Sequence, residues 1–409
     1  MKILWASDNN FTGQIPDYIG SWNLTDLRFQ GNYFHGPIPS TLSNLVQLTS
    51  LRIGDIENGS SSSLAFISKM TSLSTLILRN CRISDSLASI DFSKFLNLTL
   101  MDLSFNNITG QVPQTLLNLN SLNYLFLGNN SLSGSLPSSK QPSLRNLDFS
   151  YNQLSGNFPS WIRDENLQVN LVANNFVINR SNSVLPLGLE CLQRNTTCFL
   201  SALVSSPFAV NCGSRRSITG SDNNVYQTDD ASLESASYVE TQRSRPIWGV
   251  SNVGKFMDTS TENYKIYSVR QFQGTLDSEL FQDARMSPSS LRYYGIGLEN
   301  GNYSVMLQFA ETGFGDPGSW TSTGRRVFDI YIQGERKEHN FDIMKEAGGK
   351  SYTAIKKNYT AHVTKNIVEI HLFWGGKGTC CIPSQGYYGP SISALSVIPS
   401  TLLNYKSWS

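Results

Sequence analysis

Groups that could catalyse a reaction are few in this chain and are not spaced for catalysis. Four histidines are present, at His35, His339, His362 and His371. They lack the short spacing of metal ligands, and the chain has no Gly-x-Ser-x-Gly turn. Asp277 and Glu279 form a carboxylate pair of the kind glycosidases use, but their alternation along one short segment favours a solvated pair. The sequence therefore favours binding over catalysis, with no metal or cofactor.

Cysteines offer a second kind of chemistry, and six of them suit an oxidising compartment. Cys191 and Cys198 are close enough in sequence to close a local loop. Adjacent cysteines rarely bond to each other, so the sequence favours Cys212 bridging Cys380 or Cys381. Six cysteines still allow about 15 connectivities, so these pairings remain expectations.

An asparagine recurs at nearly fixed spacing through the first 180 residues, inside the frame Leu-x-Leu-x-x-Asn-x-Leu-x-Gly-x-Ile-Pro. The ladder positions, 22 to 25 residues apart, are Asn9, Asn32, Ile56, Cys81, Asn106, Asn130, Asn152 and Asn174. Leucines two residues apart share a strand face, and each asparagine amide can bond backbone groups that a curved coil leaves without partners. The frame predicts a leucine-rich repeat solenoid of about eight repeats over residues 1–176, with Cys81 as a buried thiol.

The ends of the solenoid carry their own signals. Met1 lies two residues before Ile3, with no signal peptide and no cysteine-bearing cap, so we expect a truncated N-terminus. The periodicity stops near residue 177, and residues 177–206 predict a cysteine-containing cap and connector. No stretch approaches the ~18 apolar residues of a membrane span.

Composition agrees with an extracellular origin. Charged residues make up 15% of the chain, against about 25% in soluble domains, and the net charge is +1, which gives no support for nucleic-acid binding. Ten Asn-x-Ser/Thr sequons are glycosylation candidates: Asn10, Asn23, Asn58, Asn97, Asn107, Asn129, Asn179, Asn195, Asn302 and Asn358. None coincides with a ladder asparagine, although several lie beside one. Chance alone would supply roughly seven such triplets, so their number is weak support.

Residues 207–398 change to a period of two, followed by a tail at 399–409. The alternating apolar positions are Tyr303, Val305, Leu307 and Phe309; Phe328, Ile330 and Ile332; and Val368, Ile370, Leu372 and Trp374. Such alternation indicates half-buried antiparallel strands. With glycine-rich turns and no long helical period, these residues predict a β-sandwich of jelly-roll type, so the fold is mixed and mainly β.

Several stretches of this second region resemble a known family. FAVNCG, LRYYGIGLENG, GRRVFDIYIQGE and HLFWGGKGTCCIPSQGYYGP are similar to the malectin-like domain of plant leucine-rich-repeat receptor kinases. The order of repeats, cysteine connector and malectin-like domain also matches, over about residues 3 to 398. The resemblance implies the ligand-binding ectodomain of a plasma-membrane receptor whose kinase lies elsewhere. No kinase motif occurs in this chain, so we expect no enzyme activity from it.

The resemblance also suggests a sugar site, because malectin binds glucose oligosaccharides through aromatic rings and an aspartate. By position, Gly313 lacks an aromatic that malectin has, Gly389 replaces its aspartate, and Met286 replaces a tyrosine. The carbohydrate-binding candidates are Tyr293, Tyr294, Glu311, Phe314, Asp316, Trp320, Tyr387 and Tyr388. Tyr294 and Tyr388 are equally typical of strand packing. Trp320 is the better-placed candidate, since its segment is glycine-rich and short of aliphatic residues.

The solenoid offers a second possible site. Strand positions that alternate with the core leucines should face the concave side. Of these, the candidates are Phe105, Tyr124, Phe126, Asp148 and Tyr151, accompanied by Arg28, Arg52, Arg79 and Asp102. Packing within the chain is an equal alternative for the aromatic members.

The sequence thus predicts a receptor ectodomain, on the outer face of the plasma membrane, that senses a cell-wall oligosaccharide such as a glucan or cello-oligomer. A co-receptor kinase ectodomain is a possible partner. The alternative is a secreted or decoy leucine-rich-repeat protein that binds a protein or peptide. A carbohydrate-active enzyme is a third class, for which the residues give little support.

Overall fold

A computed structural model describes residues 1–178, 185–186, 188–198, 207–240, 247–257, 259–260, 263–315 and 318–400. Most of the predicted connector lies outside these residues, as do Asn179, Asp316 and the tail from residue 401. Two compact units are present. The solenoid unit comprises Met1–Leu185, Leu192–Asn195 and Gly375–Lys377, and the sandwich unit comprises Pro186–Cys191, Thr196–Trp374 and Gly378–Ser409.

The solenoid unit is built on one parallel sheet with a strand from each repeat. Its strands are β1 Ile3–Trp5, β2 Thr12–Gly13, β3 Asp26–Arg28, β4 Tyr33–Phe34, β5 Ser50–Gly54, β6 Thr75–Arg79, β7 Leu100–Asp102, β8 Thr109–Gly110, β9 Tyr124–Phe126, β10 Ser131–Gly134, β11 Asn146–Asp148, β12 Gln153–Leu154 and β13 Gln168–Asn170. Eight of them form the sheet β1-β3-β5-β6-β7-β9-β11-β13. The eight-repeat frame predicted from the asparagines is therefore confirmed for the described residues.

Short helices on the other side of each repeat complete the coil. Helix α1 is Gln114–Leu117, and the 3-10 turns of this unit are Asp17–Ser21, Ser40–Asn44, Leu64–Lys69, Leu87–Ser89, Phe92–Lys94 and Ser160–Arg163. Leucines from strands and turns, such as Leu51, Leu76 and Leu125, are fully buried between the two sides. Because each repeat is too small to bury these leucines alone, stacking of neighbours makes the core.

The ladder asparagines bind backbone groups of two adjacent repeats. In Asn106, Oδ1 accepts the backbone N–H groups of Cys81 and Ile83, each at 3.0 Å. Its Nδ2 donates to the carbonyl oxygens of Leu78 and Leu103 at 2.7 and 2.9 Å. Cys81 takes the same role with its thiol, which donates to the carbonyl of Ile53 at 3.3 Å. Burial raises the pKa of the Cys81 thiol well above its ordinary value, so the thiol stays protonated and keeps this bond.

The sandwich unit contains two six-stranded sheets and a smaller third one. Its strands are β14 Phe208–Asn211, β15 Ile218–Thr219, β16 Val225–Thr228, β17 Ala236–Glu240, β18 Trp248–Val253, β19 Lys265–Tyr267, β20 Asp283–Met286, β21 Ser290–Ile296, β22 Gly301–Phe309, β23 Val327–Ile332, β24 Glu335–Asp342, β25 Ile355–Val363, β26 Ile367–Phe373, β27 Ser391–Ile392 and β28 Ala394–Pro399. Helix α2 is Ile343–Glu346, and 3-10 turns lie at Leu189–Leu192, Ser278–Phe281 and Trp320–Thr323.

The two larger sheets enclose one apolar core. Their orders are β15-β16-β14-β28-β22-β25 and β17-β18-β21-β26-β23-β24. The alternating positions predicted to be buried, among them Val305, Ile330 and Ile370, all belong to the core cluster between the sheets. The predicted sandwich is confirmed, because alternation places every second side chain on the inner face.

Two disulfides form, and one differs from the expectation. Cys191 bonds Cys198, whereas Cys380 bonds its neighbour Cys381. The predicted bridge from Cys212 to this pair is wrong: Cys212 is a buried free cysteine in the core between the sheets. Cys380 and Cys381 instead pack in a separate aromatic cluster, so the two regions do not offer the close approach that a disulfide needs.

Candidate ligand-binding face

The connection from β22 to β23 is anchored by a buried ion pair. Arg326 Nε donates to Glu311 Oε2 at 2.8 Å, and its Nη1 donates to the carbonyl of Gly389 at the same distance. The side chains of both ion-pair partners are 1% exposed. Glu311 Oε1 also accepts the backbone N–H groups of Gly313 and Phe314, at 2.8 and 3.3 Å. Glu311 was predicted to bind sugar hydroxyls, but these contacts make it an internal anchor.

Phe314 is also a packing residue, contrary to the prediction that it stacks on a sugar. Its ring is fully buried, and the guanidinium of Arg326 lies 5.5 Å from the ring centre. Gly324 lies directly against the ring, where a side chain would collide with it. A ligand therefore cannot reach Phe314 while the loop keeps this conformation.

Trp320 is the exposed aromatic residue of this loop. It begins the 3-10 turn Trp320–Thr323 and is 68% exposed. The turn is held by its own hydrogen bonds, including Thr323 Oγ1 to the Trp320 carbonyl at 2.8 Å. An indole held on a defined turn above a braced base can stack on the C–H face of a sugar ring with little loss of conformational freedom.

Tyr387 joins this face and Tyr388 does not. A Cβ placed on Gly313 would meet the Tyr387 ring at 3.0 Å, so Tyr387 packs against the base of the Trp320 loop. Tyr387 is half-buried. Tyr388 is buried against the ring of Trp374, with centroids 4.6 Å apart, and its hydroxyl accepts the N–H of Met257. Of the two candidate tyrosines here, only Tyr387 has surface to offer.

Tyr293 and Tyr294 lie in β21, away from solvent. Tyr293 is fully buried, and its hydroxyl donates to Asp229 Oδ2 at 2.8 Å. Burial and the nearby Asp229 carboxylate raise the pKa of Tyr293 well above its ordinary value. The ring of Tyr294 packs edge-on to Tyr238 at 6.2 Å. Both are strand-packing residues, and the prediction that they bind carbohydrate is wrong.

The positions that differ from malectin cannot recover its site. Met286 is fully buried. Gly389 has a φ of 77°, and any Cβ there would collide with the Ser287 carbonyl, so an aspartate would not fit without a backbone shift. The candidate face is therefore reduced to Trp320, Tyr387 and the polar turn beside them.

The solenoid strands present a row of side chains at one register, which runs through Trp5, Arg28, Arg52, Ile77, Asp102, Phe126 and Asp148. Trp5 is 44% exposed, whereas Phe126 is 1% and Asp148 2% exposed. Asp148 turns to its own turn, where Oδ1 accepts the N–H of Ser150. The prediction that Phe126 and Asp148 face a ligand is therefore wrong.

The remaining solenoid candidates are only partly accessible. Phe105, Tyr124 and Tyr151 are half-buried. The open end of the row is the first two repeats, where the guanidinium of Arg28 lies 4.5 Å from the Trp5 ring centre. Sequence reasoning missed Trp5, although its strand register with Arg28 could have indicated it.

A cavity of about 400 Å³ lies in the same unit, among the proline-containing segments. It is lined by Gln14, Ile15, Asp17, Pro37, Ile38, Pro39, Ser40, Ser63, Ala65 and Phe66. None of these was a predicted site residue.

Comparison with known proteins agrees with this architecture. The malectin domain family matches residues 206–395, and the leucine-rich repeat family matches residues 1–22, 23–45, 97–119 and 143–164. One probable LRR receptor-like serine/threonine-protein kinase of Arabidopsis thaliana is 49% identical over 64% of this chain and 25% of its own length. A second is 36% identical over 84% of this chain and 32% of its own length.

The chain belongs to the plant LRR–malectin receptor kinase family. It spans about a quarter to a third of the length of these relatives, 25% and 32%. A solved structure of the Arabidopsis receptor kinase HAESA, in complex with the peptide hormone IDA and the co-receptor SERK1, is 30% identical over 43% of this chain and 30% of that one, with a TM-score of 0.39. The LRR and malectin domains matched in this family member are non-catalytic types. Within the described residues, no helix is long and apolar enough to cross a membrane.

Proposed function

We propose that the chain is the extracellular, ligand-binding part of a plant receptor kinase, and that its malectin domain binds a cell-wall oligosaccharide, such as a glucan or cello-oligomer. The observation that carries this proposal is the exposed indole of Trp320 on its braced turn, with Tyr387 packed at the base of the loop. Sugar rings stack on such aromatic faces through their C–H groups, while hydroxyl groups and backbone amides of the turn bind their polar edges.

Titration of the chain with a panel of glucans and cello-oligomers tests the proposal. We expect Trp320→Ala to weaken binding about tenfold or more, since loss of one stacked ring removes about 1.4 kcal/mol. Tyr387→Ala should weaken binding less, because only part of that ring is exposed. The matched control is Tyr267→Ala, which removes another aromatic that is 60% exposed in the same unit. Equal affinity of the Trp320 and Tyr267 variants, or no binding by the unaltered chain, would refute the oligosaccharide proposal.

The alternative function is binding of a peptide, or of a co-receptor kinase ectodomain, by the solenoid. The exposed pair Trp5 and Arg28 favours it, because an aromatic ring beneath a guanidinium is a common arrangement at protein interfaces. Purified co-receptor ectodomain, with and without a peptide ligand, would be the probe. If Trp5→Ala abolishes that complex while glucan binding is absent, the solenoid is the receptor surface.

A further inference from the structure

Sequon asparagines are mostly accessible in the folded chain. Of the nine that lie within the described residues, eight are exposed and Asn129 is half-buried. Two of the exposed ones, Asn302 and Asn358, belong to the sandwich unit and lie far apart in sequence. Their positions in the sheet carry a conclusion that spacing along the chain does not.

Asn302 and Asn358 lie on neighbouring strands and on the same face. In the antiparallel pair of β22 and β25, Asn302 is opposite His362 and Met306 is opposite Asn358. Side chains alternate along a strand, so positions four apart on β22 share a face, and Asn358 shares it with them. The alternate positions Tyr303, Val305 and Ala361 point into the core. Both sequons therefore project outward from the same six-stranded sheet.

The sequon geometry suits attachment of a glycan. The acceptor hydroxyls two residues on belong to Ser304 and Thr360, which share the outward face with their asparagines because the strand period is two. Asn302 Oδ1 bonds His362 Nδ1 at 2.8 Å, which leaves Nδ2, the atom that carries an N-glycan, directed to solvent. Asn358 is exposed, and its side chain makes no hydrogen bond within the described part of the chain.

The strand that carries Asn358 is an edge strand. β25 is nine residues long, ends its sheet and pairs only with β22 among the described residues. Asn358 lies next to its central residue, and its outward neighbours Lys356, Thr360 and His362 are exposed. A long free edge offers unpaired backbone groups to a second chain, and proteins usually protect such edges with charges, bulges or a cover.

We propose that Asn302 and Asn358 both carry N-linked glycans, and that the glycan on Asn358 protects the β25 edge from pairing with a second copy of the chain. The two attachment points lie about 14 Å apart, from four residues of strand rise and one strand spacing. Glycans at that separation cover the outward surface of β22 and β25. The proposal rests on the extracellular placement proposed above, since only secretory proteins receive these glycans.

Mass spectrometry of the chain secreted from a eukaryotic host tests occupancy. Peptide N-glycosidase in heavy-oxygen water converts each glycosylated asparagine to a labelled aspartate, and we expect the label at both positions. Ser304→Ala and Thr360→Ala each retain the asparagine and should each remove one glycan. If Asn302 and Asn358 are unlabelled while Asn23 or Asn97 is labelled, this proposal fails and the extracellular placement stands. If no sequon is labelled, both fail.

Sedimentation of the two variants tests the edge role. We expect Thr360→Ala to raise the dimer and aggregate fraction severalfold, and Ser304→Ala to leave it unchanged, because β22 is paired on both sides. Enzymatic removal of glycans from the folded chain should reproduce the Thr360→Ala effect without passing through folding. A monomeric Thr360→Ala variant and a monomeric deglycosylated chain would overturn the edge role.

Discussion

At the scale of single residues, the ladder shows how one amide serves two repeats. Asn106 joins backbone groups of its own turn to those of the preceding repeat through both ends of its side chain. Leucine has a similar size but cannot make any of these bonds. Cys81 shows that one donor is tolerated, since its thiol bonds two carbonyls and the remaining contacts come from neighbouring asparagines.

We therefore expect Asn106→Leu to lower the free energy of unfolding by about 1–3 kcal/mol, because buried backbone groups lose their partners. Chemical denaturation followed by circular dichroism measures the change. Asn107→Leu is the matched control: its side chain is exposed and makes only one long contact, with Ser84 Oγ at 3.4 Å. Equal stability of the two variants would show that the ladder bonds do not hold the repeats.

Residue type alone predicted the binding aromatics poorly. Tyr293, Phe314 and Tyr388 have the chemistry to stack on a sugar, yet each is buried. Their neighbours decide this, since Asp229, Arg326 and Trp374 come from distant segments. An aromatic residue in a strand sequence fits core packing and ligand contact equally well.

At the scale of elements, the loop between β22 and β23 is positioned by its ends. Glu311 follows β22 and Arg326 precedes β23, so their ion pair closes the loop that carries Trp320. The bond from Arg326 to Gly389 adds the segment before β27. A site on such a loop depends on charges that never touch the ligand.

Arg326→Met should therefore destabilise the sandwich unit by about 3–5 kcal/mol, because it leaves the Glu311 carboxylate buried without its cation. Thermal unfolding measures the loss, and glucan affinity should fall as the Trp320 turn loosens. Arg336→Met provides the control: Arg336 lies 3.4 Å from Asp329 and is 39% exposed, so its removal should cost less than about 1 kcal/mol. Similar losses in both variants would contradict the bracing role.

At the scale of the whole molecule, two units have different sources of stability. The solenoid gains its core by stacking repeats, and the sandwich closes one core between two sheets. Asn106 lies in the first unit and Arg326 in the second, and they share no hydrogen-bond partner among the described residues.

The two substitutions should then add. The double variant Asn106→Leu with Arg326→Met is expected to lose the sum of the single losses, to within about 0.5 kcal/mol. A double-mutant cycle on the free energies of unfolding provides the measurement. A coupling energy clearly above that margin would mean that the units do not respond independently.

The sequence by itself determined the two architectures and their repeat count. A period of 22 to 25 residues and a period of two each follow from local geometry, which any stretch of chain reports without its partners. Only the tertiary structure decided that Cys212 is free, that Trp320 is exposed and that Asn302 and Asn358 share a face. These properties depend on which distant segments meet, and that is settled by packing and strand pairing across the whole unit.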